Sequence, residues 1–423
     1  MCLLALVAAA CGSDERDPGG KGSDVELVKA EAERVQTPDV TEKQVGELVR
    51  GNNEAAFEMY GAAGEAAGEE GNLIFSPYSI SLAFSMAYAG ARGETEAQIA
   101  ETLGFLPQET QHPAFNDLDR RVSDPGGEVE GGGTPFRLNV ANAVWGHWGY
   151  PFEEAYLGTL ARHYGAGLQT LDFRQTESAR REINGWVANE TEGRIEDLVP
   201  PDTIDRDTRL ALVNAIYFEA SWWSKFEKAG TEDGPFTLPG GREVTVPMMR
   251  QAWKFPYAEG EGYQAVQLPY EGDAVDMIVI LPEDGRLRQV EENLDADLLD
   301  EVRGKLPEAQ VELTMPRFGF ETDLKLIDLL EEMGLRLPFD PYEADLSGVT
   351  KEERLYIYEA LHKATITVNE KGTVAAAATA ILDIPVSGGG GPRTVTMDHP
   401  FIFSIVERET GTILFLGRVM NPR

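Results

Sequence analysis

Five histidines, His112, His147, His163, His362 and His399, are the side chains best suited to proton transfer or metal binding near neutral pH. No two of them have metal-ligand spacing on one helix, and H-E-x-x-H is absent. His362, in "EALHKATITVNEKG", is the one inside an apolar strand-like run, and a lone histidine there reads as a hydrogen-bonded core residue. No serine sits in G-x-S-x-G, no Walker-type phosphate loop occurs, and Gly388–Gly391 lack the spacing of a phosphate cradle. Asp and Glu number 72, so no carboxylate pair singles itself out and most read as solvated faces. No conventional catalytic centre emerges; neither a cofactor nor a metal is expected.

The chemistry-bearing passage is of another kind. "EKGTVAAAATAILDIPVSGGGG", Glu370 to Gly391, carries no charge between Lys371 and Asp383, although 26% of the chain is charged. As a strand it puts Thr373, Ala375, Ala377, Thr379 and Ile381 on one side and Val374, Ala376, Ala378 and Ala380 on the other. From Gly372 to Leu382 it would extend about 36 Å. Alanine is a poor strand former, so propensity does not explain the run. Small side chains would let it enter a slot between existing strands, while Pro385 and the glycines mark a bend that a protease can reach.

Such a segment needs a frame. Apolar spacing predicts an amphipathic helix over 44–67, a short strand and a small-residue helix in "NLIFSPYSISLAFSMAY", and a further helix after Gly93. "LALVNAIYFEASW" and "AVDMIVILP" read as strands buried on both faces. "DLKLIDLLEEMGL" reads as a helix closed by Gly334, and the C-terminus as a hairpin turning at Thr410–Gly411. Helices early and strands late, without βαβ alternation or internal repeat, predict an α+β domain with large, mainly antiparallel sheets.

Length (423 residues) and 42% hydrophobic content allow one large domain. A net charge of −35 repels nucleic acid and anionic membranes. Cys2 and Cys11 are the only cysteines, so the body holds no disulfide. Leu3–Ala10 is too short to span a bilayer and reads as a signal-peptide core. "AAAC" resembles a bacterial lipobox, which makes Cys11 the candidate lipidated N-terminus; a plain secretory signal is the alternative. The expected division is a signal over 1–10, a polar tether over 11–43 and the domain over 44–423. Export follows, either to the medium or to the outer face of the cell membrane.

"VNEKGTVAAAATA", "NLIFSPYSISLAFSMAYAGARGET", "LVNAIYFEASW", "ADLSGVT" and "HPFIFSIVERETGTILFLGRV" together resemble the serpins, in family order, from about Asn52 to the C-terminus. The resemblance implies three mainly antiparallel sheets, about eight or nine helices and an exposed reactive loop over about 370–392. It further implies a monomeric suicide inhibitor of serine endopeptidases. After acylation the cut loop inserts into the main sheet as a new strand. "IPVS" resembles an antitrypsin-type bait, with the bond between Val386 and Ser387; Val suits elastase- or subtilisin-like proteases. By resemblance Glu370, Gly372, Thr373, Ala375, Ala376, Ala377, Ala378 and Thr379 form the hinge. Ser76, Ser79, Asn214 and His362 match the shutter where central strands part, and Trp222 the breach where insertion starts. Val374 replaces the commoner Glu at an outward position, and Asp383 would face inward at a cost. A non-inhibitory member, acting as a binding protein or substrate, is the competing expectation.

Overall fold

The computed structural model describes residues 25–123, 136–304, 307–373 and 392–423. Helix Glu42–Ala67 begins at a capping box: the Thr41 hydroxyl accepts from the Gln44 amide (3.3 Å), and the Gln44 side chain accepts from the Thr41 amide (2.9 Å). Helix Pro77–Tyr88 starts with Ser76 as N-cap and proline in its first turn, and all twelve of its residues are buried. The described residues hold nine α-helices in all.

One sheet has seven strands, in the order Glu26–Val28, Leu168–Leu171, Arg137–His147, Leu210–Ser221, Gly372–Thr373, Glu359–Asn369 and Phe318–Lys325. A nine-stranded assembly faces it, in which the 18-residue strand Glu243–Gly260 serves two sheets. Its first part pairs with Glu232–Thr237 and Glu308–Pro316; its last four residues pair with Tyr263–Pro269. The three expected sheets are thus present, two of them joined through this strand.

Between the two layers lies the main core, where Phe218, Trp222, Phe318 and Ile366 meet Met277, Val279, Phe403 and Phe415. Helix Thr176–Glu190 covers the other face of the seven-stranded sheet, packing Ile183 and Val187 on Ala141, Val213 and Ala215. Both faces of strand Leu210–Ser221 are covered, which is why its sequence runs apolar without alternation.

The polar tether expected over 11–43 is corrected from residue 25 onward. Glu26–Val28 pairs antiparallel with Leu168–Leu171 at the sheet edge, and the chain beyond it lies against helix Gln108–Ser123. A polar composition did not prevent docking, because an open sheet edge offers backbone hydrogen bonds to any sequence. Among the described residues no helix is long and apolar enough to cross a membrane.

Candidate functional site

Strands Leu210–Ser221 and Glu359–Asn369 lie side by side at the centre of the main sheet. Residues 211–217 and 359–365 pair in parallel, the less stable kind of ladder. Above them the strands diverge, and Gly372–Thr373 sits in the gap. Thr373 is antiparallel to Ala220 on one side and to Val368 on the other. The start of the uncharged run that follows Lys371 therefore lies within the sheet. The exposed loop expected from about 370 is corrected at its start, because Glu370, Gly372 and Thr373 are all buried.

Several contacts hold this entrance. Thr373 is 0% exposed, and its hydroxyl lies 2.8 Å from the Tyr270 hydroxyl. The Tyr270 ring stacks on Trp222 at 4.5 Å and 12°. Burial drives the Tyr270 phenol well above its usual pKa, keeping it a neutral hydrogen-bonding group. Trp222 binds the incoming chain through its amide to the Lys371 carbonyl (2.8 Å) and its indole N–H to the Asn369 carbonyl (2.9 Å). Gly372 has φ +150°, and a Cβ there would stand 2.0 Å from the Ala220 carbonyl oxygen, so only glycine fits. Glu370 accepts from Arg317 (Nε, 2.7 Å) and from Thr231 (2.6 Å). Burial works to raise its carboxyl, but these hydrogen bonds outweigh it and hold the group below its usual pKa.

About midway down the strands, Ser76, Ser79, Asn214 and His362 form one buried cluster. Backbone N–H of Ser76 donates to His362 Nε2 (3.1 Å), which leaves Nδ1–H to donate to Asn214 Oδ1. The Asn214 amide donates to the Ser79 carbonyl (2.7 Å), to its hydroxyl (2.6 Å) and to Asn142. Asn142 returns a bond to the Ser79 carbonyl (2.9 Å). His362 and Asn214 are register partners, so parting the strands breaks their bond.

Burial pushes His362 down to about 3, and His112 likewise, against about 6.5 in an unfolded chain. Between these values the unfolded chain takes up protons that the folded one refuses, so stability falls with pH by about 1.4 kcal/mol per unit per histidine. Glu359, raised to about 7 by burial, works the other way above its unfolded value. Urea midpoints at pH 7, 6 and 5 should therefore fall more steeply for the wild type than for His362→Gln. Parallel pH dependences would contradict this assignment.

Ala375–Thr379, Val386, Ser387 and Cys11 lie outside the described residues. Sequence reasoning missed Asn142, Tyr270, Arg317 and Thr231. Asn142 had a readable signal: it interrupts the apolar alternation of "VANAVW". Arg317 and Thr231 had none, being far from Glu370 in the chain. Among the described residues no group of three or more His, Cys, Asp or Glu side chains could hold a metal ion.

A family model described as "Serpin (serine protease inhibitor)" matches residues 50–422. The chain belongs to the serpin family. An uncharacterized serpin-like protein of Thermococcus kodakarensis is 40% identical over 388 residues, covering 90% of this chain and 87% of that one. Antithrombin-III of Mus musculus is 36% identical over 417 residues, covering 96% and 87% respectively. Leukocyte elastase inhibitor of Equus caballus is 37% identical over 388 residues, covering 89% of this chain and all of the relative. Serpins are protease inhibitors rather than enzymes, and membership supports serine protease inhibition as the general activity.

Proposed function

We propose that this serpin traps serine endopeptidases of the elastase- or subtilisin-like kind, by acylation at Val386–Ser387 followed by loop insertion. The supporting observation is the double antiparallel pairing of Gly372–Thr373. Rungs at 374 and 375 would add antiparallel pairs where the flanking strands have none between them, and each of the next seven would exchange one parallel pair for two antiparallel ones. At about 1 kcal/mol net per hydrogen bond, some ten rungs amount to a driving force on the order of ten kcal/mol.

If the Thr373 register continued down the sheet, Ala375 would come between Phe218 and Ile366, and Thr379 between Asn214 and His362. The hydroxyl in a run of alanines would thus arrive at the rung where insertion breaks the Asn214–His362 bond. A leaving partner is replaced by an entering one, and no buried polar group is stranded. Once cut, the loop carries the acylated protease with it, and the ester persists because the protease's catalytic geometry is distorted.

Incubation with a panel of elastase-, subtilisin- and trypsin-like proteases, followed by denaturing electrophoresis, tests this. A covalent complex with the first two classes is expected, and the released C-terminal fragment should begin at Ser387. Cleavage without any complex would mark a non-inhibitory member instead. In the same reading the protein is a monomer, exported and anchored at the outer face of the cell membrane through lipid on Cys11. An intact Ala10–Cys11 bond in the mass spectrum of membrane-fraction protein would refute that anchor.

A further inference from the structure

The docked segment before the first helix touches the parts of the molecule that sheet opening must displace. At one end Glu26–Val28 extends the edge of the main sheet, and the Thr170 hydroxyl adds a bond to the Glu26 carbonyl (3.0 Å). The Lys29 ammonium donates to the Gly165 carbonyl (2.7 Å). At the other end Arg34, half-buried, forks onto helix Gln108–Ser123: Nε donates to Asn116 Oδ1 (2.7 Å) and Nη2 to Asp119 Oδ2 (2.5 Å). Asn116 returns a bond to the Val35 carbonyl (2.9 Å), and the Val35 amide donates to the Arg162 carbonyl (2.8 Å). Asp119 in turn accepts from Tyr78 (2.5 Å), which neighbours Ser79 of the shutter on helix Pro77–Tyr88.

Parting Leu210–Ser221 from Glu359–Asn369 requires the strands on its near side, Arg137–His147, Leu168–Leu171 and Glu26–Val28, to move as a panel. Five residues lie between Val28 in that panel and Arg34 docked on the helix, six steps with a reach of about 20 Å at full extension. So short a link, pinned at both ends, leaves little slack for the panel to slide.

We propose that residues 25–40 are a strap, locked by Arg34, that raises the barrier to opening the main sheet and so positions the shutter for the inhibitory reaction. This rests on the proposed loop insertion. Amide hydrogen exchange on the full chain tests it, comparing wild type, Arg34→Ala, Arg34→Lys and a form lacking residues 1–40. Amides of 211–217 and 359–365 should exchange at least about tenfold faster in Arg34→Ala and in the truncated form, with strands Val275–Pro282 and Phe401–Glu407 unchanged. Arg34→Lys, which keeps the cation for Asp119 but loses the fork, should fall between. Unchanged exchange, or a uniform rise across all strands, would overturn the strap. Complex formation by the wild type, assayed in parallel, separates that outcome from failure of the trapping reading itself.

Discussion

Thr373→Arg should turn the protein from an inhibitor into a substrate. The wild-type side chain is fully buried against Tyr270 at the mouth of the slot, so its replacement must either bury a guanidinium or pull the hinge out. Burying a charge without a partner costs several kcal/mol, and each 1.4 kcal/mol added to the insertion barrier slows that step about tenfold. Hydrolysis of the acyl-enzyme does not involve this residue and should keep its rate. Insertion would then lose the race. The variant should be cut at the same bond, release active protease and show no large rise in thermal stability after cleavage. A denaturant-resistant complex at wild-type stoichiometry would mean that insertion does not begin at Thr373.

Val386→Arg should exchange one protease class for another. A short β-branched side chain fills a shallow primary pocket, whereas arginine needs a deep one with a carboxylate at its base. Where a pocket's buried polar group must find its partner, discrimination reaches factors on the order of 10⁴ in kcat/KM. Inhibition of elastase-like proteases should therefore collapse while trypsin-like ones are gained, with the stoichiometry of the new complex unchanged because the hinge is untouched. Retained elastase inhibition would place the bait bond elsewhere.

Local pattern explains what could be read from the residues alone. The helix over 44–67, the strand "LALVNAIYFEAS" and the C-terminal hairpin each announce themselves by periodicity or continuous apolarity, because burial acts on every residue of the element. His362 stood out as a polar residue within an apolar run, whereas Asn214 was marked only by the resemblance to the serpins. Long-range polar partnerships leave no such trace. Nothing near Glu370 points to Arg317 or Thr231, and nothing near Arg34 points to Asn116 and Asp119. The segment from residue 25 was misread because charge and proline content report solvation, whereas its docking uses backbone groups and one forked arginine. How far the hinge has entered depends on a contest between closed and open sheets, which no window of sequence encodes.

The strand Glu243–Gly260 has a mechanical consequence. Its chain runs unbroken from one sheet into the other, the ladder to Glu308–Pro316 ending at Pro256 and the ladder to Tyr263–Pro269 beginning at Tyr257, so the two sheets of the nine-stranded assembly are joined covalently. In the proposed insertion that half of the molecule would serve as the frame beside which the slot opens, as a drawer opens in a cabinet. Under the proposed trapping mechanism, the pull of an advancing strand would be passed along the loop to a protease held by one ester bond.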